Sequence, residues 1–204
     1  MAPLVNELAM LRTRIELTFS SPAVIMVTSA KRNDGSTVAA LGLAECLAAA
    51  GHRVALLADD AEAALADNDE RPQFALHRFA DKLEPGCRSS DAVTAMAGSM
   101  RAAYDFTIVD ALPLVESSVS MLLASTLEAV LLAVRLGRSR CPEDQLMMNA
   151  LKVTEARVLG VVGASAASVR EFDRRVRIGA AGGNSRDKRS HTLAGLASRT
   201  ATRS

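Results

Sequence analysis

The 204-residue chain carries a net charge of +1, is 49% hydrophobic and is only 3% aromatic, with no Trp. This length fits one core with an extension and argues against a second independent core. Because the apolar residues are mainly Ala, Leu, Val, Ile and Met, the composition favours helices packed on a sheet and argues against an aromatic-rich β-sandwich.

The amino-terminal part reads as a helix followed by a strand–loop–helix–strand unit. Apolar residues spaced three and four apart predict an amphipathic helix over residues 4–19. The uninterrupted apolar run over residues 23–30 predicts a strand buried on both faces. After the polar loop KRNDGST, residues 38–50 predict a helix that Gly51 ends. A second buried strand, RVALLADD, follows and finishes on acidic residues.

Strands and helices continue to alternate beyond residues 61–90, which are polar and irregular. The predicted elements are helices at 91–103, 115–127 and 142–154, a strand within 104–113 that ends at Asp110, and strands at 128–136 and 156–165. This alternation is typical of a doubly wound, mostly parallel sheet with right-handed crossovers. We therefore predict an α/β, three-layer sandwich.

The last segment differs in composition from the rest. Cut near Ser168, the chain has 15 basic against 20 acidic residues before the cut and 9 against 3 after it. The basic segment has few large apolar residues, so disorder is the expectation. We divide the chain into an amphipathic helix over 1–22, an α/β domain over 23–168 and a basic tail over 169–204.

Cysteine usage and hydropathy indicate a cytoplasmic location. Cys46, Cys87 and Cys141 are odd in number and show no CxxC spacing, which predicts free thiols in a reducing compartment. No apolar run reaches the roughly 18 to 20 residues that span a bilayer, and the start does not resemble a targeting peptide. We expect a soluble or peripherally attached protein.

The loop after the first strand has the layout of a phosphate-binding loop. In VTSAKRNDGSTVAA, a strand leads through a polar loop into a helix, whose first amides can cradle phosphate. The complete motif, GxxxxGK followed by Ser or Thr, is absent because no Lys separates Gly35 from Ser36. Either the Lys is deleted and Ser36 and Thr37 form the hydroxyl pair, or Ser36 replaces it and Thr37 ligates magnesium. The alternative is a plain turn capped by Ser36 or Asp34.

Charge in this loop predicts weak catalysis. The missing Lys normally holds the terminal phosphates and neutralises charge during transfer, so its loss affects turnover more than binding. Asp34 would repel a triphosphate, whereas two cations could replace part of the lost charge. The candidate ATP-binding residues are Lys31, Arg32, Asn33, Asp34, Gly35, Ser36 and Thr37.

Acidic residues end the two strands predicted to flank this loop. Asp59 and Asp60 finish one strand and Asp110 another. Parallel strands would bring them to the edge that holds the loop, where magnesium or its waters bind. We predict Asp60 and Asp110 as catalytic acids that hold Mg²⁺ together with Thr37. The alternative is that each acid only ends a strand or caps a helix.

The order of segments over residues 5–165 resembles the CpsD/CapB-type bacterial tyrosine kinases, within the wider class of MinD and ParA ATPases. Lys31 stands where the MinD-like class keeps a lysine before its glycine. The segments that carry the resemblance are LRTRIELTF, VTSAKRNDGSTVAA, RVALLADD, ERPQFALHRF, YDFTIVDALP, EAVLLAVRLGRSR and ARVLGVVGAS.

Several family features are absent. The catalytic Lys is missing, and Ala58 replaces the first acid of the family's DxD, leaving Asp60 as the second. Ala9 and Met10 fall where the oligomerising helix keeps an Arg. The stretch between Asp60 and Asp110 is short, which suggests the loss of a strand. The tail contains no tyrosine, so autophosphorylation of the family's usual kind is not expected.

The resemblance implies a degenerate, weak or inactive ATPase or kinase homologue that regulates exopolysaccharide or capsule polymerisation or export. Its implied partner is a membrane polysaccharide copolymerase at the inner face of the plasma membrane. Self-association is a further expectation, and nucleic acid is not an expected partner. Two alternatives are a MinD/ParA-like positioning ATPase and an interaction module that binds no nucleotide.

Overall fold

The computed structural model of the chain describes residues 2–58, 73–82, 89–137 and 142–165. The order of its elements agrees with the alternation predicted from the sequence. The elements are α1 (Ala2–Thr18), β1 (Ala23–Ser29), α2 (Ser36–Ala49), β2 (Val54–Leu57), β3 (Ala75–His77), a 3-10 helix (Phe79–Asp81), α3 (Ser90–Ala103), β4 (Phe106–Asp110), α4 (Ser118–Thr126), β5 (Ala129–Arg135), α5 (Pro142–Val153) and β6 (Val158–Ala164).

One six-stranded parallel sheet, in the order β3-β2-β4-β1-β5-β6, forms the centre of the described part of the chain. The predicted α/β, doubly wound sheet is therefore confirmed. β3 was not predicted, because it is three residues long and lies in a segment whose polar composition indicated irregular structure. It adds to β2 at the edge of the sheet.

Helices cover both faces of the sheet and give the predicted three layers. On one face, α1 and α2 pack through Leu11, Ile15, Leu43 and Leu47 against inward residues of β1, β2 and β4. On the other face, the cluster contains residues of α3, α4 and α5, including Met96. β1 is buried along its whole length and is apolar over its first five residues, which is typical of a strand covered on both sides.

Short polar side chains and a proline define the starts of three helices. Ser89 accepts a hydrogen bond from the Ala92 amide at 3.2 Å at the start of α3, and Ser117 does the same for Ser120 at the start of α4. Both are N-cap contacts. Pro142 opens α5 as predicted, since its missing N–H and fixed φ suit the first helical position.

Ion pairs tie the amino ends of the central strands to neighbouring elements. Glu128, before β5, accepts hydrogen bonds from the Val24 amide at 3.0 Å and from Arg101 Nε at 2.7 Å. Asp105, before β4, accepts from Arg53 Nη2 at 2.7 Å, and this contact lowers the pKa of Asp105. These contacts lie at the amino edge of the sheet, opposite the loop predicted to bind phosphate, so they stabilise the fold and are not part of the candidate site.

Two smaller expectations can be compared with the described residues. Cys46 is a free thiol, and burial with the nearby Glu45 raises its pKa; Cys87 and Cys141 lie outside the described residues. Among the residues described, no helix has both the length and the apolar character needed to cross a bilayer.

Candidate functional site

The loop predicted to bind phosphate leaves the carboxyl end of β1, the strand at which the chain direction across the sheet reverses. From β1 the chain passes through α2 to β2 on one side, and it later crosses from β4 to β5 on the other side. In open α/β sheets, ligands bind at this kind of switch point, outside the carboxyl ends of the strands. The fold therefore puts residues 31–37 where a ligand would be expected.

The backbone of the loop turns sharply before α2. Asn33 and Gly35 have φ angles of 64° and 101°, and the Ser29 hydroxyl donates a hydrogen bond to the Lys31 carbonyl at 2.7 Å. Gly35 is the N-cap of α2, and its carbonyl accepts from the Ala39 amide at 3.0 Å. The alternative of a plain turn named Ser36 or Asp34 as the cap, whereas the structure has Gly35 at the N-cap and no side-chain hydrogen bond there. A residue without Cβ fits the left-handed conformation there.

A hydrogen bond joins Thr37, at the end of the loop, to Asp110 on the neighbouring strand. Thr37 Oγ1 donates a hydrogen bond to Asp110 Oδ2 at 2.6 Å. The two meet because β4 pairs directly with β1, with Asp110 in register with Val27, and because Thr37 lies in the first turn of α2. Of the two loop hydroxyls considered from the sequence, Thr37 is the one bonded to this acid.

The segment that follows Asp110 is attached to β1. The Ala111 amide donates to the Val27 carbonyl at 2.9 Å, and the Thr28 hydroxyl donates to the Leu112 carbonyl at 3.0 Å. Thr28 is buried, so this bond also satisfies a polar group inside the protein. These contacts hold Asp110 and the residues after it at a fixed distance from the loop.

The two cations of the loop are engaged by acids that the sequence analysis did not identify. Arg32 Nε contacts Glu116 Oε2 at 2.6 Å, and Lys31 Nζ contacts Glu143 Oε1 at 3.4 Å. Glu116 follows β4 and Glu143 lies in the first turn of α5. The structure therefore ties Lys31 and Arg32, which we predicted as phosphate ligands, to carboxylates.

The remaining predicted residues differ in their surroundings. Asn33 is exposed, Gly35 is buried, and Asp34 is only 5% exposed and is engaged in a polar interaction. Asp59 and Asp60 lie outside the described residues. Within the described ranges, no group of three or more acidic, His or Cys side chains could hold a metal. The hydroxyl and carboxylate oxygens of Thr37 and Asp110 are nonetheless the donor types that Mg²⁺ prefers.

A second polar pair joins β3 to the segment before β4. His77 Nε2 and the Tyr104 hydroxyl are 2.8 Å apart, with ring centroids at 5.8 Å. Burial, followed by the charge of Lys82, lowers the pKa of His77. Tyr104 is the only tyrosine of the chain, and this partly buried contact gives it a structural role at the start of β4.

Comparison with known proteins gives matches in structure only. The kinase domain of the Escherichia coli tyrosine kinase ETK is similar with a TM-score of 0.61 and 16% identity, over 79% of this chain and 75% of that chain. The VpsO kinase domain has a TM-score of 0.59 and 17% identity, over 79% and 95% of the two chains. A protein assigned to plasmid partition from Borrelia burgdorferi, bound to AMPPNP, has a TM-score of 0.50 and 12% identity, over 72% and 76%.

No protein-family model matches the sequence, and no curated protein matches it. The structural similarity therefore concerns the fold, since the identities are all below 20%. The resemblance drawn from the sequence segments is confirmed at that level: the chain has the fold of bacterial tyrosine kinase domains, a P-loop NTPase-like α/β fold.

Proposed function

We propose that the chain is a degenerate tyrosine-kinase-like P-loop protein that binds ATP with Mg²⁺ and regulates exopolysaccharide or capsule polymerisation or export. In this proposal it acts at the cytoplasmic face of the plasma membrane through a polysaccharide copolymerase. The nucleotide part and the partner part rest on different observations.

The contact between Thr37 and Asp110 is the observation that carries the nucleotide part. A hydroxyl at the start of a helix and a carboxylate at the end of the adjacent strand, 2.6 Å apart, are oxygen ligands of the kind used for Mg²⁺. The short polar loop before them exposes backbone amides at a helix N-terminus, where anions are favoured. A plain strand-to-helix turn would require neither the acid nor its contact with the hydroxyl.

Five of the candidate residues have named roles in the proposal. Thr37 ligates the metal, Asp110 holds a metal-bound water, and Asp60 is the second acid. Lys31 or Arg32 contacts phosphate. Bound Mg²⁺ would neutralise charge on the phosphates, which matters here because the usual lysine of the loop is missing.

The missing lysine of the loop also argues for weak or no catalysis. Removing one group that stabilises developing charge typically lowers the rate about 10²- to 10³-fold. The tail has no tyrosine that could serve as a phosphate acceptor. We propose that nucleotide binding serves regulation, with slow turnover.

Similarity to the ETK and VpsO kinase domains supports the partner part, together with the segments that resemble the CpsD/CapB-type family. The purified chain should bind the cytoplasmic segment of a copolymerase encoded beside it. Neighbouring genes for glycosyltransferases and a copolymerase would support this partner, whereas chromosome-partition genes would exclude it.

A MinD/ParA-like positioning ATPase is the second candidate. The similarity to the AMPPNP-bound protein assigned to plasmid partition supports it, and so does Lys31 at the position of that class's lysine. A third candidate is an interaction module without nucleotide. The carboxylates on Lys31 and Arg32 favour it, because they occupy the cations that phosphate would need.

Calorimetric titration of the full chain with ATP tests the nucleotide part. With Mg²⁺ we expect saturable binding, and with a chelator we expect much weaker binding, because Thr37 and Asp110 would act through the metal. Absence of heat under both conditions would exclude the first two candidates. Equal affinity under both conditions would exclude the metal role while leaving nucleotide binding intact.

A further inference from the structure

Two glutamates contact the two cations of the loop, Lys31 and Arg32. Glu116 lies six residues beyond Asp110, and Glu143 lies in the first turn of α5, so both come from segments at the carboxyl edge of the sheet. Each contacts one cation of the loop: Glu116 at 2.6 Å from Arg32 Nε, and Glu143 at 3.4 Å from Lys31 Nζ. Neither contact belongs to the scaffold pairs at the opposite edge.

We propose that Glu116 and Glu143 are intramolecular competitors of phosphate, which set the affinity of the loop for anionic ligands. The inference rests on the proposed function, because it concerns the same loop. A phosphate that reaches Arg32 or Lys31 has to displace a carboxylate already bound to that cation. The ligand class that the site accepts is therefore one whose charge is compensated, such as a nucleotide with Mg²⁺.

The exposure of the four side chains makes such an exchange feasible. Arg32 and Lys31 are 60% and 53% exposed, and Glu116 and Glu143 are 35% and 33% exposed. Ion pairs in this range are weak, because water screens them and ordering long side chains is unfavourable. A ligand can therefore separate them without unfolding any element.

Glu116 and Glu143 should differ in how strongly they compete with phosphate. The Arg32–Glu116 contact is shorter and has the geometry of a charge-assisted hydrogen bond. Glu143, when released by Lys31, still lies in the first turn of α5, where the helix dipole favours a negative charge. Releasing Glu143 therefore costs less than releasing Glu116, and Glu116 is expected to be the stronger competitor.

The expected gain on removing one competitor follows from the strength of exposed pairs. Breaking one exposed ion pair changes an equilibrium constant by about 1.4- to 5-fold. Glu116→Gln should therefore raise the affinity for ATP with Mg²⁺ by about 3- to 5-fold, Glu143→Gln by less, and the double variant by about the product.

Calorimetry of the full chain with ATP and Mg²⁺ tests this inference in four proteins: wild type, Glu116→Gln, Glu143→Gln and the control Glu155→Gln. Glu155 lies in the turn between α5 and β6, at the amino edge of the sheet, so the control makes the same change in total charge away from the loop. The control should bind as the wild type does.

The Glu116→Gln change made in an Arg32→Gln protein distinguishes competition for Arg32 from general charge repulsion between Glu116 and the phosphates. If Glu116 acts by occupying Arg32, Glu116→Gln should have little effect once Arg32→Gln is present. A gain of the same size in both backgrounds would overturn the inference, as would equal affinity in wild type and Glu116→Gln. If none of the proteins binds ATP, the proposed function fails, and the inference fails with it.

Discussion

Replacing Asp110 by Asn separates the metal role of this side chain from its structural role. The amide keeps the shape of the side chain and an oxygen that can accept from Thr37 Oγ1, now 2.6 Å from the carboxylate, but it removes the negative charge. The structural cost is the difference between a hydrogen bond to a charged group, about 1.5 to 3 kcal/mol, and one to a neutral group, about 0.5 to 1.5 kcal/mol. We expect the free energy of unfolding to fall by about 1 kcal/mol.

The effect on magnesium-dependent binding should be larger. Two unit charges about 4 Å apart interact by about 4 kcal/mol at an effective dielectric constant of about 20. Since Asp110 is half-buried, we expect at least a roughly 100-fold loss of ATP affinity in the presence of Mg²⁺, equivalent to about 2.8 kcal/mol. Calorimetry measures the affinity, and urea unfolding measures the stability of the same samples.

Two threonine variants test the structural part of this reasoning: Thr37→Val removes the contact with Asp110, and Thr107→Val, in the same strand as Asp110, is the control. Thr37→Val should lower stability by about 1.5 to 3 kcal/mol, because it removes the donor to Asp110. Thr107→Val should not lower it, since the buried Thr107 hydroxyl has no hydrogen-bond partner in the described part of the chain. Unchanged ATP affinity in Asp110→Asn would refute the metal role, and equal stability losses in the two Thr variants would refute the importance of the contact.

Two further predictions concern parts of the chain outside the loop. Burial and Lys82 lower the pKa of His77 below its ordinary value of 6.5. Because the unfolded chain then binds a proton at His77 more tightly than the folded chain does, the free energy of unfolding should fall as the pH drops below about 6.5. His77→Gln should flatten this pH dependence, and an unchanged slope in the variant would contradict the prediction. The tail, residues 169–204, has nine basic and three acidic residues and lies outside the described residues. Its removal, or added salt, should weaken binding to anionic liposomes, since each basic residue near the surface contributes about 1 kcal/mol; equal binding of full and truncated chains at low salt would exclude this role.

The long apolar segments allowed most of the fold to be predicted from the sequence. β1 is buried throughout, so its uninterrupted run of apolar residues indicated both a strand and cover on two faces. β3 was missed for the opposite reason. It has three half-buried residues at the sheet edge, and its stability comes from pairing with β2, which no local pattern reveals.

The proximity of Thr37 and Asp110 could be predicted from the topology, whereas the role of these residues stays a prediction. Asp110 and Thr37 could be brought together because parallel strands end at one edge, and they are in contact. The partners of Arg32 and Lys31 were missed, because Glu116 and Glu143 are 84 and 112 residues away in sequence. The predicted topology did place both acids near the loop, because Glu116 follows β4 and Glu143 lies in the first turn of α5, at the carboxyl edge of the sheet.

ATP turnover by the full chain, next to a relative that keeps the loop lysine, tests the central claim of a degenerate site. At saturating ATP and Mg²⁺ we predict a rate at least about 100-fold lower, because one group that stabilises charge in the transition state is missing. Binding measured in the same samples would show that the difference lies in catalysis. A turnover comparable to that of the lysine-containing relative would contradict the account.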